Sequence, residues 1–391
     1  MKKLPFFILL MAGFSAMLGL GIISPFLPEF SERHDANGFW MGMIFAGFGI
    51  SRGIIMPFVG KMSDKRGRKI FVASGLLLYA VISCFYPYTD SVFQLTLVRV
   101  IHGFSAGLII PIVMAYVGDI ATEGKESIVT GTLNMMFCLG LATGPLFGGI
   151  LFKLYGTHAV FYMMSGLGVL NFLIVVFFLP DCKNVELAPP ENPSDFHSLI
   201  KYNFIKAILI ITVIITLIMV VFMSFLPSLA ENIHVDASHV GIILSTGVLL
   251  AGILQIPFGW VADKLDRVEK LIQIGVGTTI SMFALVGMPF CPDFIALFFV
   301  GAFLGVGLAI ALPPLTSLSV GIGKKTSMGA WMGIFNAARS ISFVIAPILF
   351  GIIMDFIGIN YVFYLSALVV FFGALSFGHY IRKRLKGYKT G

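Results

Sequence analysis

Charge is scarce in this chain. Of its 391 residues only 12% are Asp, Glu, Lys or Arg, about half the share of a soluble protein, so there is too little polar surface to coat a core in water. Carboxylates are scarcer still within the apolar runs, because all 19 acidic residues fall in polar connections or near run ends. Cysteine is almost absent. Cys84, Cys138, Cys182 and Cys291 lie far apart with no C-x-x-C pair, which suggests neither a zinc site nor a disulfide framework. There is also no H-E-x-x-H, no nucleotide-binding glycine loop and no nucleophile motif. No metal or cofactor is expected, and an intramembrane enzyme or a sensor that transports nothing is a remote alternative.

What the chain has is hydrophobicity: 58% of residues are apolar and the mean hydropathy is +0.98. Runs long enough to cross roughly 30 Å of hydrocarbon need about 20 residues. Twelve such runs lie near residues 5–30, 38–60, 70–88, 92–118, 128–155, 158–180, 204–230, 238–262, 270–289, 293–320, 328–354 and 359–381. Their length predicts helices, since a spanning strand needs only about 10 residues and would alternate polar with apolar. The first run carries Pro5 and is too long for a removable leader, so it is expected to stay as a span.

Basic residues fix the expected orientation. Most of the 26 lysines and arginines fall in alternate connections: Lys2 and Lys3, the 61–69 loop, Lys125, the 181–206 region, Lys264 to Lys270, Lys324 and Lys325, and the tail from Arg382 to Lys389. Arg33 and Lys153 fall on the other side. Both termini are therefore expected on the cytoplasmic side of a cell membrane. The formal charge of +7 reflects that bias and implies contact with anionic lipid rather than nucleic acid.

Internal repetition divides the chain. Gly60-Lys61-Met62-Ser63-Asp64-Lys65-Arg66-Gly67-Arg68-Lys69 has a weaker copy in Gly259-Trp260-Val261-Ala262-Asp263-Lys264. Phe26-Leu27-Pro28 pairs with Phe225-Leu226-Pro227, Gly42 with Gly241, Pro111 with Pro313, and Gly131, Asn134 and Pro145 with Gly333, Asn336 and Pro347. Span n thus corresponds to span n+6. The one long polar connection, with Pro189, Pro190 and Pro193, separates the copies. The expected domains are an amino-terminal six-helix bundle (1–180), a cytoplasmic linker (181–203) and a carboxy-terminal six-helix bundle (204–391) with a short basic tail.

The first loop matches G-x-x-x-D-[RK]-x-G-[RK]-[RK], and the chain resembles the major facilitator superfamily over nearly its whole length. Two further stretches are similar to the proton-coupled drug-efflux branch: Gly131, Gly140, Gly144, Pro145, Gly148 and Gly149 in the fifth span, and Leu95-x-x-x-Arg99-x-x-His102-Gly103 in the fourth. Gly19, Pro25 and Pro28 in the first span fit the same branch. His102 departs from it, standing where a glutamine is usual. The resemblance implies an all-α membrane protein of twelve transmembrane helices in two pseudo-symmetric bundles, monomeric, with substrate bound between them and access alternating.

The same resemblance assigns a gate to Gly60, Asp64, Arg68, Asp119 and Asp263. Asp64 is expected to cap the start of the eleventh span near Met328, and Arg68 to pair with Asp119. A purely topogenic role for these charges is the alternative. The fifth-span glycines with Pro145 imply a close, bendable helix contact, or tight packing alone.

Inside the spans stand three cations: Arg52, Arg99 and Arg339. An arginine at mid-membrane costs at least roughly 2.5 kcal/mol, so each needs a partner or water. Arg52 either snorkels to headgroups or faces the interior. Arg99 either bonds carbonyls of the first span or takes part in coupling. Arg339, one turn from Asn336, points to substrate contact or a central ion pair. The substrate set is Arg339, Asn336, Arg52 and Asn134; the proton-coupling set is His102, Arg99 and Glu29. A cationic interior without carboxylates suits a small anionic or zwitterionic amphiphile, exported in exchange for protons. Facilitated diffusion or uptake by symport is the alternative within transport.

Overall fold

The computed structural model describes residues 3–23, 38–180 and 203–388. All regular structure in them is helical, as hydrocarbon demands of a chain that must satisfy each N–H and C=O within its own segment. In chain order the helices are α1 Lys3–Ile23, α2 Gly38–Arg66, α3 Lys69–Ser83, α4 Val92–Ile120, α5 Glu126–Phe178 and α6 Asn203–Asn232. Then follow α7 Ala237–Ile253, α8 Gln255–Lys264, α9 Arg267–Gly287, α10 Phe294–Lys325, α11 Met328–Ile357 and α12 Ile359–Tyr388. Among the described residues, eleven helical stretches are long and apolar enough to cross a membrane. The second expected span lies in α2, which is not one of the eleven.

Two stretches carry internal breaks. The fifth and sixth runs are two spans, Glu126–Gly144 and Leu154–Phe178, within the stretch given as α5, which is broken by Gly156 at φ 78° and ψ −179°, a conformation open to glycine and costly to other residues. The eighth run divides at Leu254 into α7 and α8. Pro257 explains the division, since it has no N–H for the Ile253 carbonyl and its ring crowds that oxygen. Local caps set other boundaries. The Ser91 hydroxyl accepts from the Gln94 N–H at the start of α4, and Asp266 and Glu269 form a reciprocal capping box that begins α9.

The chain forms two compact units. One comprises Met1–Glu123, Met136–Glu191 and Val320–Val344; the other comprises Gly124–Met135, Asn192–Ser319 and Ile345–Gly391. In the first unit α2 lies close against α4. A Cβ on Gly103 would strike Ser51 and the Phe48 carbonyl, and one on Gly107 would strike Ile55. In the second unit Gly277 and Gly307 play the same part between α9 and α10, where added Cβ atoms would meet the facing backbone. Small residues at such crossings let helices approach where no hydrophobic force drives them together. Large apolar side chains such as Phe93, Phe177, Phe283, Phe299 and Phe356 stand exposed, which suits helices whose solvent is lipid.

Candidate functional site

The first loop motif builds a polar cluster where α2, α3, α4 and α11 meet. Gly67, at φ 89°, ends α2 in a left-handed conformation that glycine adopts at no steric cost, its N–H donating to the Ser63 carbonyl at 3.1 Å. The turn brings Arg68 back beside Asp119 of α4, whose Oδ2 accepts from the Arg68 Nε at 3.0 Å. Arg68 Nη2 also contacts Asp64 Oδ1 at 2.7 Å, and its Nη1 donates to the Ser63 hydroxyl at 2.6 Å. Burial alone would lower the Arg68 guanidinium; the Asp119 and Asp64 carboxylates outweigh burial and hold it above its ordinary value.

Asp64 reaches the start of α11. Its Oδ1 accepts from the Gly329 N–H at 2.8 Å, its Oδ2 from the Ala330 N–H at 2.9 Å, and Oδ2 also accepts from the Ser327 hydroxyl. A carboxylate there meets both the unsatisfied donors and the positive end of the helix dipole. Gly60 allows the approach, since a Cβ on it would overlap the Gly329 carbonyl, and a Cβ on Gly333 would likewise overlap the Met56 carbonyl.

The second copy acts likewise in the second unit. Asp263 accepts from the Ser127 N–H at 2.7 Å and the Ile128 N–H at 2.9 Å, capping the start of α5. Gly259 packs against the Ser127 backbone there.

The interior arginines have different surroundings. Arg52 is turned inward, only 5% exposed, so it does not snorkel. Its Nε donates to the Ser340 hydroxyl at 3.1 Å, and its guanidinium lies 5.4 Å from the Phe48 ring and 4.8 Å from the Phe343 ring. Arg339 and Arg99 are near enough to act on its charge. Arg339 is half-buried and has no hydrogen-bond acceptor or carboxylate partner among the described residues; Cys138 is its electrostatic neighbour. Asn336 is buried, and its amide donates to the Met332 carbonyl at 2.9 Å and the Met114 sulfur at 3.2 Å. In the second unit Asn134 is 5% exposed with an amide nitrogen that has no hydrogen-bond partner among the described residues, one turn from the hydroxyl pair Thr130 and Thr316 at 3.1 Å.

Among the described residues Arg99 has no hydrogen bond to α1. Its Nε donates to the Ile44 carbonyl of α2 at 3.4 Å, because the tight α2–α4 crossing puts that carbonyl nearest, while the guanidinium rests 4.8 Å over Phe48. His102, one turn on, shares a hydrogen bond between its Nδ1 and the Tyr86 hydroxyl at 2.8 Å. Glu29 and the 181–203 linker lie outside the described residues, save Asn203 at the start of α6. Along α5, Gly140 abuts the Phe14 carbonyl and Gly144 the backbone of Gly21 and Ile22; Gly148 is buried, and the Pro145 and Gly149 surroundings fall outside the description. Sequence reasoning missed Tyr86, Phe48, Ser327, Ser340 and Phe343. Only Ser340, adjacent to Arg339 and one turn from Asn336, left a signal.

Comparison with known proteins places this geometry. The family model described as Major Facilitator Superfamily matches residues 9–220 and 208–389. An uncharacterized MFS-type transporter of Methanocaldococcus jannaschii is 28% identical over 370 residues, covering 93% of this chain and 94% of that protein. The quinolone resistance protein NorA of Staphylococcus aureus is 25% identical over 359 residues, 89% of each chain. Among solved structures, the human organic anion transporter MFSD10 (TETRAN) superposes with a TM-score of 0.82 at 16% identity, over 96% of this chain and 99% of that one, a likeness of fold.

Proposed function

The chain belongs to the Major Facilitator Superfamily of membrane transporters, and from that footing we propose that it exports anionic or zwitterionic amphiphiles in exchange for protons. One observation carries the substrate class. Arg52, Arg99 and Arg339 stand in the first unit with no carboxylate paired to any of them among the described residues, and an arginine fork recognises carboxylate, sulfonate or phosphate groups in two-point fashion. Arg339 is the primary contact, because of the three it is the one whose guanidinium has no hydrogen-bond acceptor among the described residues. Arg52 supports it from its seat between Phe48 and Phe343, a setting that favours an aromatic or apolar body on the anion. Asn336 spends its amide on the protein and acts by holding Arg339's helix face. Asn134 offers an unspent donor in the second unit.

The remaining roles follow. His102 carries the proton beside Arg99, with Glu29 as an external acid. Asp64, Arg68 and Asp119 with Gly60, and Asp263 in the second copy, hold the cytoplasmic ends of α11 and α5 until the protein changes access, within two six-helix repeats joined by the 181–203 linker. Outward movement agrees with the resistance named for one relative, and anions with the name of the fold neighbour. The protein acts as a monomer in the cytoplasmic membrane with both termini inside.

Flux into reconstituted vesicles tests the reading. A zwitterionic fluoroquinolone, an anionic bile salt and ethidium are compared with and without an imposed pH gradient. Gradient-driven movement of the first two against their concentration is expected. Equilibration without gradient dependence would make the protein a facilitator, and driven movement of ethidium alone would overturn the substrate class.

A further inference from the structure

Arg52 of α2 is held by α11 within the first unit. Its Nε donates to the Ser340 hydroxyl at 3.1 Å. That hydroxyl donates in turn to the Asn336 carbonyl at 3.1 Å, with the Met56 sulfur a more distant acceptor at 3.9 Å. Ser340 and Asn336 are 2% and 3% exposed, so bulk water does not compete for these bonds. Two glycines make the reach possible. A Cβ on Gly53 would stand 3.0 Å from the Ser340 Cβ, and one on Gly49 would meet Val344 and Phe343, so α2 lies close enough for the short serine side chain to touch the guanidinium. Phe48, one turn earlier on α2, and Phe343 of α11 lie against the same guanidinium at 5.4 and 4.8 Å.

Donor counting fixes what Arg52 has left to offer. A guanidinium has only N–H donors, so the Ser340 oxygen must accept from Nε and pass its own hydrogen on along α11. Nε is thereby spent, and the edge that pairs it with one Nη is closed to a two-point contact. The two Nη groups remain, with no acceptor among the described residues. Together they form the end of the fork, which matches two oxygens of one carboxylate or sulfonate. The fold itself does not require the Arg52–Ser340 bond. In the internal repeat Arg52 and Ser340 fall opposite Ala251 and Cys138, so the second copy is built without it.

We propose that Ser340 is a positioning residue of the anion site: by holding Nε it fixes the guanidinium of Arg52 so that the paired Nη groups face the ligand and bind its carboxylate or sulfonate end-on. This rests on the reading of Arg52 as part of that site.

Equilibrium binding of cholate and of its uncharged methyl ester to the full chain in lipid nanodiscs at neutral pH tests the role, because the two ligands share one body and differ at the headgroup. Wild type is expected to prefer cholate. Ser340→Ala is expected to weaken cholate by about tenfold, as for a hydrogen bond to a charged group, and the ester by less than about twofold. Arg52→Gln is expected to lose at least as much for cholate, and Arg52→Gln combined with Ser340→Ala no more than Arg52→Gln alone, since the serine acts through the arginine. Equal losses for both ligands in Ser340→Ala, an unchanged cholate affinity, or additive losses in the double variant overturn the proposal. If Ser340→Ala is not monodisperse, Ser340→Cys, which keeps the bulk and offers only a weak acceptor, is read by the same comparison. A wild type that does not prefer cholate contradicts the anion reading itself, and the role of Ser340 falls with it.

Discussion

Asp64 on α2 and Gly329 on α11, 265 residues apart in the chain, are joined by a hydrogen bond of 2.8 Å from the Gly329 N–H to the Asp64 carboxylate. The neighbouring Ala330 N–H donates to the other carboxylate oxygen, so one side chain satisfies two backbone donors that the helix cannot satisfy itself. Hydrogen bonds to a charged group contribute about 1.5–3 kcal/mol each, and about 1.4 kcal/mol changes an equilibrium tenfold. Asp64→Asn keeps the size and loses the charge. It is expected to cut transport by about tenfold or more while leaving ligand affinity within about twofold, measured by flux and by binding on the same preparation. Unchanged flux at equal protein density would reject a gating role.

Arg68 and Asp119 form a buried pair, with side chains 2% and 3% exposed. Removing one member of such a pair leaves a charge without its partner and costs about 3–5 kcal/mol. Arg68→Met and Asp119→Leu are each expected to lower thermal stability strongly, and the double variant to lose less than the two losses added. Additive losses would mean that the two side chains do not act as a pair.

Gly329 is confined on three sides, since an added Cβ would meet Arg68, the Gly60 carbonyl and Asp64, whereas Gly275 on α9 has open space around it. Gly329→Ala is expected to destabilise by about 1–3 kcal/mol, the usual cost of overpacking. Gly275→Ala is expected to be neutral or stabilising by up to about 1 kcal/mol. Melting of both variants in one detergent checks the pair; equal melting temperatures would contradict the close α2–α11 approach.

Much of the fold was legible because run length, turn chemistry and repetition all encode it directly. Asp64 and Arg68 could be assigned their contacts because the loop motif is a contiguous string, and Asp263 followed by repetition. The interior was less legible. Arg52 could be read as snorkelling or inward-facing, and only the packing of Phe48 and Phe343 around it decides for the interior. For Arg99, carbonyls of the first span were one of two readings, but Gly103 and Gly107 draw α4 onto α2 and present the Ile44 carbonyl to it. Tyr86 stands 16 residues before His102, beyond helical spacing, and meets it because the chain turns between α3 and α4. The break at Leu254 also depends on backbone geometry that hydropathy does not report.

The substrate class turns on Arg339, whose charge has no acidic partner among the described residues. Thermal stability of purified wild type and Arg339→Gln is measured against a panel matched in size and carrying anionic, zwitterionic or cationic headgroups, since ligand bound to the folded state raises stability by mass action. Wild type is predicted to be stabilised by anions and zwitterions, and Arg339→Gln to remain monodisperse and lose those shifts. Stabilisation mainly by cations, or undiminished anion shifts in well-folded Arg339→Gln, would contradict the account.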